Sequence, residues 1–367
     1  MRYAMIMAGG SGTRLWPLST RDRPKQLVPM IERGGERLSL MQLADRRLDG
    51  VIEQSNRYIC TGERFRGAIR QAMNAYDDAH ILGEPVGRDT VNAVGFAAAV
   101  LEKQDKEAVF SVLTADHMIE PTDEFARVLD IGFKLVEDDA RRLVTFAIEP
   151  TYPATGFGYV KRGKSIAGFE GSAFGAEKFV EKPDLTTAES YLREGGFGWN
   201  SGMFVWSAAT FMRCLERYLP ESHRGLRELA RAWGTKDQQT TIERVYPMLP
   251  KISVDYAVME NAAKEADGSV SVCIAPMKVD WLDVGSWPSY AQTLDADARG
   301  NARVGSTIAH ECRDSLIVNA EDDGHLVALL GCEGMVVVRT KGATLVMPRD
   351  KAERLKALHA ELPEELK

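Results

Sequence analysis

The chain reads as an α/β protein: a Rossmann-like, doubly wound, mostly parallel sheet, followed by a small all-β unit at the C-terminal end. Three observations predict this. Short apolar runs suited to buried strands alternate with stretches of helical spacing through the first half. A glycine turn follows the first of those runs. After Gly300 the texture changes to brief β-rich pieces divided by Gly, Asp and Asn. Alternating strands and helices wind into a sheet covered on both faces, and ligands bind beyond the carboxyl ends of its strands.

Tyr3–Ala8 is the first strand by this reading. Leu38–Leu48 has helical spacing, Arg57–Thr61 is a strand, and Glu63–Ala75 is a helix. Ala93–Leu101 is an apolar helix, Ala108–Ala115 a buried strand, Phe125–Val136 a helix and Leu143–Ile148 another strand. Gly156–Arg162 and Phe174–Phe179 read as strands joined by a Gly/Ser-rich loop. Thr186 and Glu189 have capping-box spacing at the head of a helix, and Gly202–Trp206 is a further strand. Helical segments cover 208–244 and 254–263, and a short helix with Pro288 near its start covers Ser286–Leu294. The β-rich pieces are Arg303–Ala309, Ser315–Val318, Leu326–Leu329, Met335–Val338 and Thr344–Met347, with a helix over Lys351–Ala360. The expected organisation is therefore a domain over 1–296 and a β-rich domain with a terminal helix over 297–367.

Gly9, Gly10 and Gly12 follow the first strand directly. Such a loop admits positive φ and turns several N–H groups toward one spot, which suits an anion. Arg14 and Lys25 flank it with positive charge. A phosphate cradle is one reading; a tight turn with two surface cations is the other. A P-loop would place Lys and Ser/Thr directly after the last glycine, where Thr13-Arg14 stands. A dinucleotide fingerprint would need a third glycine where Leu15 stands.

Composition narrows the class. The 367 residues are 44% hydrophobic and 27% charged, with a formal net charge of −7 and no basic stripe. That speaks against nucleic acid as a partner, and no apolar run reaches membrane-spanning length. Five cysteines without C-x-x-C spacing fit a reducing, cytoplasmic setting, and zinc has little support.

Several stretches are chemically unusual. Asp116, in TADH after a buried strand, can hold a metal ion or cap a turn. Asp283, in WLDVGSW, would be a second carboxylate on a loop fixed by two tryptophans. Mg²⁺ at phosphates is held in this way, by one or two carboxylates. In FVEKP, Glu181 can accept sugar hydroxyls and Lys182 can meet a phosphate, or the two form an exposed ion pair. Asn200, in WNSGMF, offers donor and acceptor to a hydroxyl, or makes an Asx-turn. Gly158, in GFGY, allows a close approach. In EPVGRDT, Glu84 and Asp89 can accept from the two donors of a guanine, while Asp89 or Thr90 can equally cap the helix that follows.

Together these stretches resemble the sugar-phosphate nucleotidyltransferase family. GGSGTRLWPLSTRDRPKQ is similar to its signature loop. EPVGRDT, TADH, TGFGYV, FVEKP, WNSGMF, SVDYAVME and WLDVGSW stand in the order found in its mannose-1-phosphate guanylyltransferase branch, over Met1 to Trp287. The resemblance implies transfer of GMP from GTP to mannose 1-phosphate with Mg²⁺, giving GDP-mannose. It implies Arg14 and Lys25 as catalytic residues, and Ala8, Gly9, Gly10, Gly12, Thr13, Glu84, Arg88, Asp89 and Thr90 around the nucleotide. Gly158, Glu181, Lys182 and Asn200 would hold the sugar phosphate, and Asp116 and Asp283 the metal. It further implies a left-handed β-helix at the end of the chain and a homodimer. Longer members carry an added isomerase domain, for which this chain has no room. The family has Asn at Asp89 and Ala-Pro at Val91-Asn92, so the guanine contacts depart from its pattern. Rival readings are the same fold acting on another hexose 1-phosphate or nucleotide, and a non-catalytic sensor of a GDP-sugar.

Overall fold

The computed structural model describes residues 1–10 and 12–367; Ser11, within the glycine loop, lies outside the described residues. The chain divides into two compact units. The first comprises Met1–Gly9, Ala44–Ala115 and Ile119–Trp281, and the second Gly10–Leu43, Asp116–Met118 and Leu282–Lys367.

The first unit is built on a nine-stranded sheet. Arg2–Ala8 runs parallel to both Arg57–Gly62 and Val109–Thr114, and Ile81–Glu84 extends the parallel set beyond Arg57–Gly62. Arg142–Ile148 and Ser271–Met277 form a second parallel pair. The strand Phe197–Ser207 lies antiparallel between the two sets, and Tyr159–Ser165 with Phe174–Val180 close the far edge as an antiparallel ribbon. The parallel strands are buried along almost their whole length, as strands covered on both faces must be. The helix Thr90–Gln104 is buried on nearly all sides and packs with Ala208–Tyr218 and Pro220–Ala232 in the main core.

Most of the expected elements are present, with shifted ends. The capping box at Thr186 and Glu189 is not. The helix there is Leu185–Glu194, and Asp184 caps it by accepting from the Thr187 N–H at 2.8 Å. Asp is among the strongest N-caps and stands ahead of the Thr, so the Thr is already helical. The helix expected over 254–263 begins as a π-turn, Asp255–Met259, and ends as Glu260–Ala262.

The second unit joins an early stretch of chain to the last part. It holds a hairpin, Ile31–Arg33 with Glu36–Leu38, and a β-helix-like stack. In the stack, Ala302–Val304, Leu316–Asn319 and Met335–Arg339 pair in parallel, as do Thr307–His310 and Val327–Leu330. Thr344–Pro348 closes the stack antiparallel. The strand expected over 303–309 is broken at Gly305, which has φ 73°; a Cβ there would lie 2.2 Å from the Asn319 carbonyl oxygen, so only glycine makes this corner. The expected 351–360 helix is a 3₁₀ stretch, Arg349–Arg354, followed by Leu355–Glu361. One apolar core serves the unit: Leu15, Trp16, Val28 and Met30 pack with Val284, Trp287, Tyr290, Leu316, Val318, Val336 and Leu355. No helix among the described residues is long and apolar enough to cross a membrane.

Candidate active site

The second unit gathers the loop cations and the two aspartates. Gly10 and Gly12 both have positive φ, 101° and 63°. A Cβ on Gly12 would meet Lys25 Cβ and Ser19 Oγ at 3.1 Å, so the glycine also lets the loop close on the lysine. Thr13 and Arg14 enter a 3₁₀ turn, Thr13–Leu15, that buries Leu15 and ties the Leu15 N–H to the Gly12 carbonyl at 2.9 Å. Lys25 is buried, and its Nζ donates to Asp116 Oδ2 at 2.8 Å and to the Val284 carbonyl at 3.4 Å. The Val284 N–H donates to the Asp116 carbonyl at 3.0 Å, which fixes the TADH and WLDVGSW stretches to each other.

Asp116, His117 and Asp283 each offer a ligand atom within 4.8 Å of the others. Burial pushes the Asp116 carboxyl up, but the charges of Lys25 and His117 outweigh it and hold the group below the usual carboxylate range. Asp283 Oδ1 is buried and has no hydrogen-bond partner among the described residues. A Cβ on Gly285 would lie 3.1 Å from Arg14 Nη2 and 3.2 Å from Asp283 Oδ1, so Arg14 and Asp283 flank that glycine. Arg14 also pairs with the exposed Glu353 at 3.2 Å. A buried acceptor left unpaired is costly unless a donor or a cation meets it. Two carboxylates beside a lysine therefore fit a hard divalent ion with oxygen ligands.

The first unit gathers the other candidates into two clusters. In one, Gly158, Glu181, Lys182 and Asn200 come together. The Gly158 carbonyl accepts from the Asn200 N–H at 2.8 Å, and a Cβ on Gly158 would lie 2.5 Å from Glu181 Oε2. Lys182 Nζ pairs with Glu181 Oε1 at 3.1 Å. The Asn200 amide is oriented from both sides: Thr145 Oγ1 donates to its Oδ1 and its Nδ2 donates to Asp255 Oδ1, each at 2.8 Å. One N–H of Nδ2 remains for a ligand.

Asp255 is the residue that sequence reasoning missed. Burial, with the nearby Glu181 charge, pushes its carboxyl up from 3.8 to about 7. The folded chain therefore holds this proton more tightly than the unfolded chain. The associated stability is complete at low pH and is lost as pH rises from about 4 through 7. Compared with Asp255→Asn, the wild type should lose on the order of 2–4 kcal/mol over that range. Urea unfolding of both proteins at pH 5 and pH 8 checks this, and parallel pH profiles would contradict it.

The other cluster is EPVGRDT. Glu84 is buried, accepts from the Tyr246 hydroxyl at 2.6 Å, and is pushed up by its burial. Asp89 has φ 63° and caps the helix Thr90–Gln104, accepting from the Thr90 N–H at 2.8 Å. Its extra negative charge thus sits at a helix N-terminus, where it is favoured. Thr90 Oγ1 accepts from the Val254 N–H at 2.9 Å, and Arg88 Nε is buried without a partner among the described residues. Asn92 links this helix to its surroundings, donating to the Pro250 carbonyl at 2.6 Å and accepting from Ser222 Oγ at 2.7 Å.

A sheet of this topology, with a glycine turn after its first strand and two neighbouring aspartates, defines a class, and comparison with known proteins agrees. Residues 3–300 match the nucleotidyl transferase family model and residues 306–362 match a mannose-phosphate isomerase/GMP-like β-helix domain. The chain belongs to the nucleotidyl transferase family. Within it, the chain groups with the mannose-1-phosphate guanylyltransferases. It is 35% identical to that enzyme of Escherichia coli K12, over 96% of this chain and 72% of the relative. It is 34% identical to the xanthan biosynthesis protein XanB of Xanthomonas campestris, over 98% of this chain and 72% of the relative. A crystal structure from Thermus thermophilus, described as a mannose-1-phosphate geranyltransferase, superposes with a TM-score of 0.83 at 31% identity, covering 97% of this chain and 98% of that one.

Proposed function

We propose that this chain transfers GMP from GTP to mannose 1-phosphate, giving GDP-mannose and pyrophosphate. The observation that supports this most directly is the grouping of Lys25, Asp116 and Asp283, with Asp283 Oδ1 buried and unpartnered among the described residues. An oxygen of the sugar phosphate attacks the α-phosphorus of GTP as the bond to pyrophosphate breaks. The nucleophile is already ionised at neutral pH, so the work is to position two polyanions and offset their repulsion. Arg14 and Lys25 bind the triphosphate against the N–H groups of Gly9, Gly10 and Gly12. Ala8 and Thr13 bound that loop, and Glu84, Arg88, Asp89 and Thr90 take the base. Glu181, Lys182, Asn200 and Gly158 hold the sugar phosphate. Asp116 and Asp283 would hold Mg²⁺. When bound, the ion neutralises phosphate charge as a Lewis acid.

We also place the protein in the cytoplasm as a homodimer, with the functional division after residue 296. Five free cysteines fit a reducing compartment, and light scattering tests the dimer. Pyrophosphate release with GTP, ATP and dTTP against mannose, glucose and fructose phosphates, with and without Mg²⁺, tests the reaction. Release should be greatest with GTP, mannose 1-phosphate and Mg²⁺; no release with any pair would reject the reading. Gly158→Ala should raise the KM for mannose 1-phosphate about tenfold with little change in kcat, because the methyl group displaces Glu181 from ground and transition state alike. An unchanged KM would remove Gly158 from the sugar site.

A further inference from the structure

Thr145 puts a hydroxyl inside the apolar strand Arg142–Ile148, and it is fully buried. Valine has nearly the same shape and suits a buried strand as well, without a polar group to desolvate. Packing alone does not account for the hydroxyl, but its neighbours do. The adjacent strand Phe197–Ser207 pairs Asn200 with Ala147 and Phe204 with Thr145, so it bulges between those two pairs. Gly202, at φ 70°, makes the bend. Bulges beside active sites re-aim side chains, and this one brings Asn200 Oδ1 to 2.8 Å from the Thr145 hydroxyl.

Three groups set the sense of that amide. The Gly202 N–H, which can only donate, reaches Oδ1 at 3.3 Å. Thr145 Oγ1 donates to the same oxygen at 2.8 Å, in preference to the Met203 carbonyl at 3.4 Å. Asp255 Oδ1 accepts from Nδ2 at 2.8 Å. Turned over, the amide would set its NH2 against the Gly202 N–H and its oxygen against the Asp255 carboxyl. Oδ1 thus makes both its bonds within the protein, and Asn200 offers a ligand only an N–H. Glu181 supplies the opposite sense. A Cβ on Gly158 would lie 3.5 Å from Asn200 Nδ2 and 2.5 Å from Glu181 Oε2, so a donor and an acceptor flank one spot.

We propose that Thr145 is a positioning residue for sugar selection. Its hydroxyl fixes Asn200 as a donor, so that Asn200 and Glu181 together read a hydroxyl that accepts from one and donates to the other. This rests on the sugar-phosphate site proposed above. A site built to hydrogen-bond a hydroxyl rejects analogues that lack it, because its own polar groups are then left unmet. Without Thr145 Oγ1, Asn200 Oδ1 keeps only the longer Gly202 bond and the amide is free to turn.

The experiment compares Thr145→Val with Thr145→Ser. Valine keeps the packing and removes the hydroxyl; serine keeps the hydroxyl and removes a methyl group. Thr145→Val should raise the KM for mannose 1-phosphate about tenfold, as loss of one hydrogen bond implies. Its kcat and its KM for GTP should stay within about twofold. By titration calorimetry it should bind GDP-mannose about tenfold more weakly and GDP unchanged. Thr145→Ser should keep wild-type KM and affinity within about twofold, although it melts lower. A packing role would give the reverse order, with Thr145→Ser the poorer enzyme. That order would overturn the proposal, as would an unchanged KM in Thr145→Val or equal loss of GDP and GDP-mannose affinity. The binding arm separates this proposal from the reaction. A wild type that bound GDP-mannose without forming it would fail the reaction, while a difference in that affinity between Thr145→Val and Thr145→Ser would still support the role of Thr145.

Discussion

Asp283→Asn is expected to lower turnover by about three orders of magnitude while the melting temperature stays level or rises slightly. The two effects separate because Asp283 does little for the fold. Its Oδ1 is buried without a hydrogen-bond partner among the described residues, and its carboxylate lies with Asp116 in the 4.8 Å cluster. An unsatisfied buried acceptor costs about 1–3 kcal/mol, and a second negative charge beside it adds repulsion. Asparagine keeps the shape and removes the charge. What is lost is half of the carboxylate pair that would hold the divalent ion, and metal stabilisation of phosphate charge is worth several kcal/mol. Pyrophosphate release at saturating Mg²⁺, alongside thermal unfolding, checks both halves. Turnover within tenfold of wild type would remove Asp283 from the metal site.

Lys25→Ala should also cut turnover, by about a hundredfold or more, but here the fold suffers too. Lys25 is 9% exposed at its side chain and its partner Asp116 is 26% exposed. Removing one member of a largely buried pair strands the other, at a cost of roughly 2–4 kcal/mol once the exposure of Asp116 is allowed for. The double variant Lys25→Ala/Asp116→Asn should recover most of that stability and none of the turnover. A double variant less stable than Lys25→Ala would show that the pair is not what the lysine supports. Recovered turnover would reject Lys25 as a phosphate-binding group.

The parts of the structure readable in the sequence are those with local causes. Buried parallel strands are apolar runs, so the sheet at Arg2–Ala8, Arg57–Gly62 and Val109–Thr114 is visible one strand at a time. The glycines of the loop and the aspartates after strand ends stand out because their types are odd for a core. What was hidden depends on distant chain. The hold of Thr145 and Asp255 on Asn200 joins residues 55 positions apart on either side. Asp255 sits in a π-turn, which has no regular apolar spacing to mark it; its only signal was the SVDYAVME stretch. Glu84 and Thr90 could be read as base-binding groups, yet each already accepts from a neighbour, Tyr246 or the Val254 N–H. No spacing rule forecasts such partners.

The second unit bears on how the chain must be made. Leu15, Trp16, Val28 and Met30 leave the ribosome long before the apolar groups that cover them, Val284 through Leu355. Until then those early side chains lack most of their cover, and the loop carrying Arg14 and Lys25 lacks the packing beneath it. A nascent or nonsense-shortened product stopping near residue 296 would lack Leu316, Val318, Val336 and Leu355 from that core and would leave Leu15 and Trp16 as sticky surface, prey for chaperones and proteases.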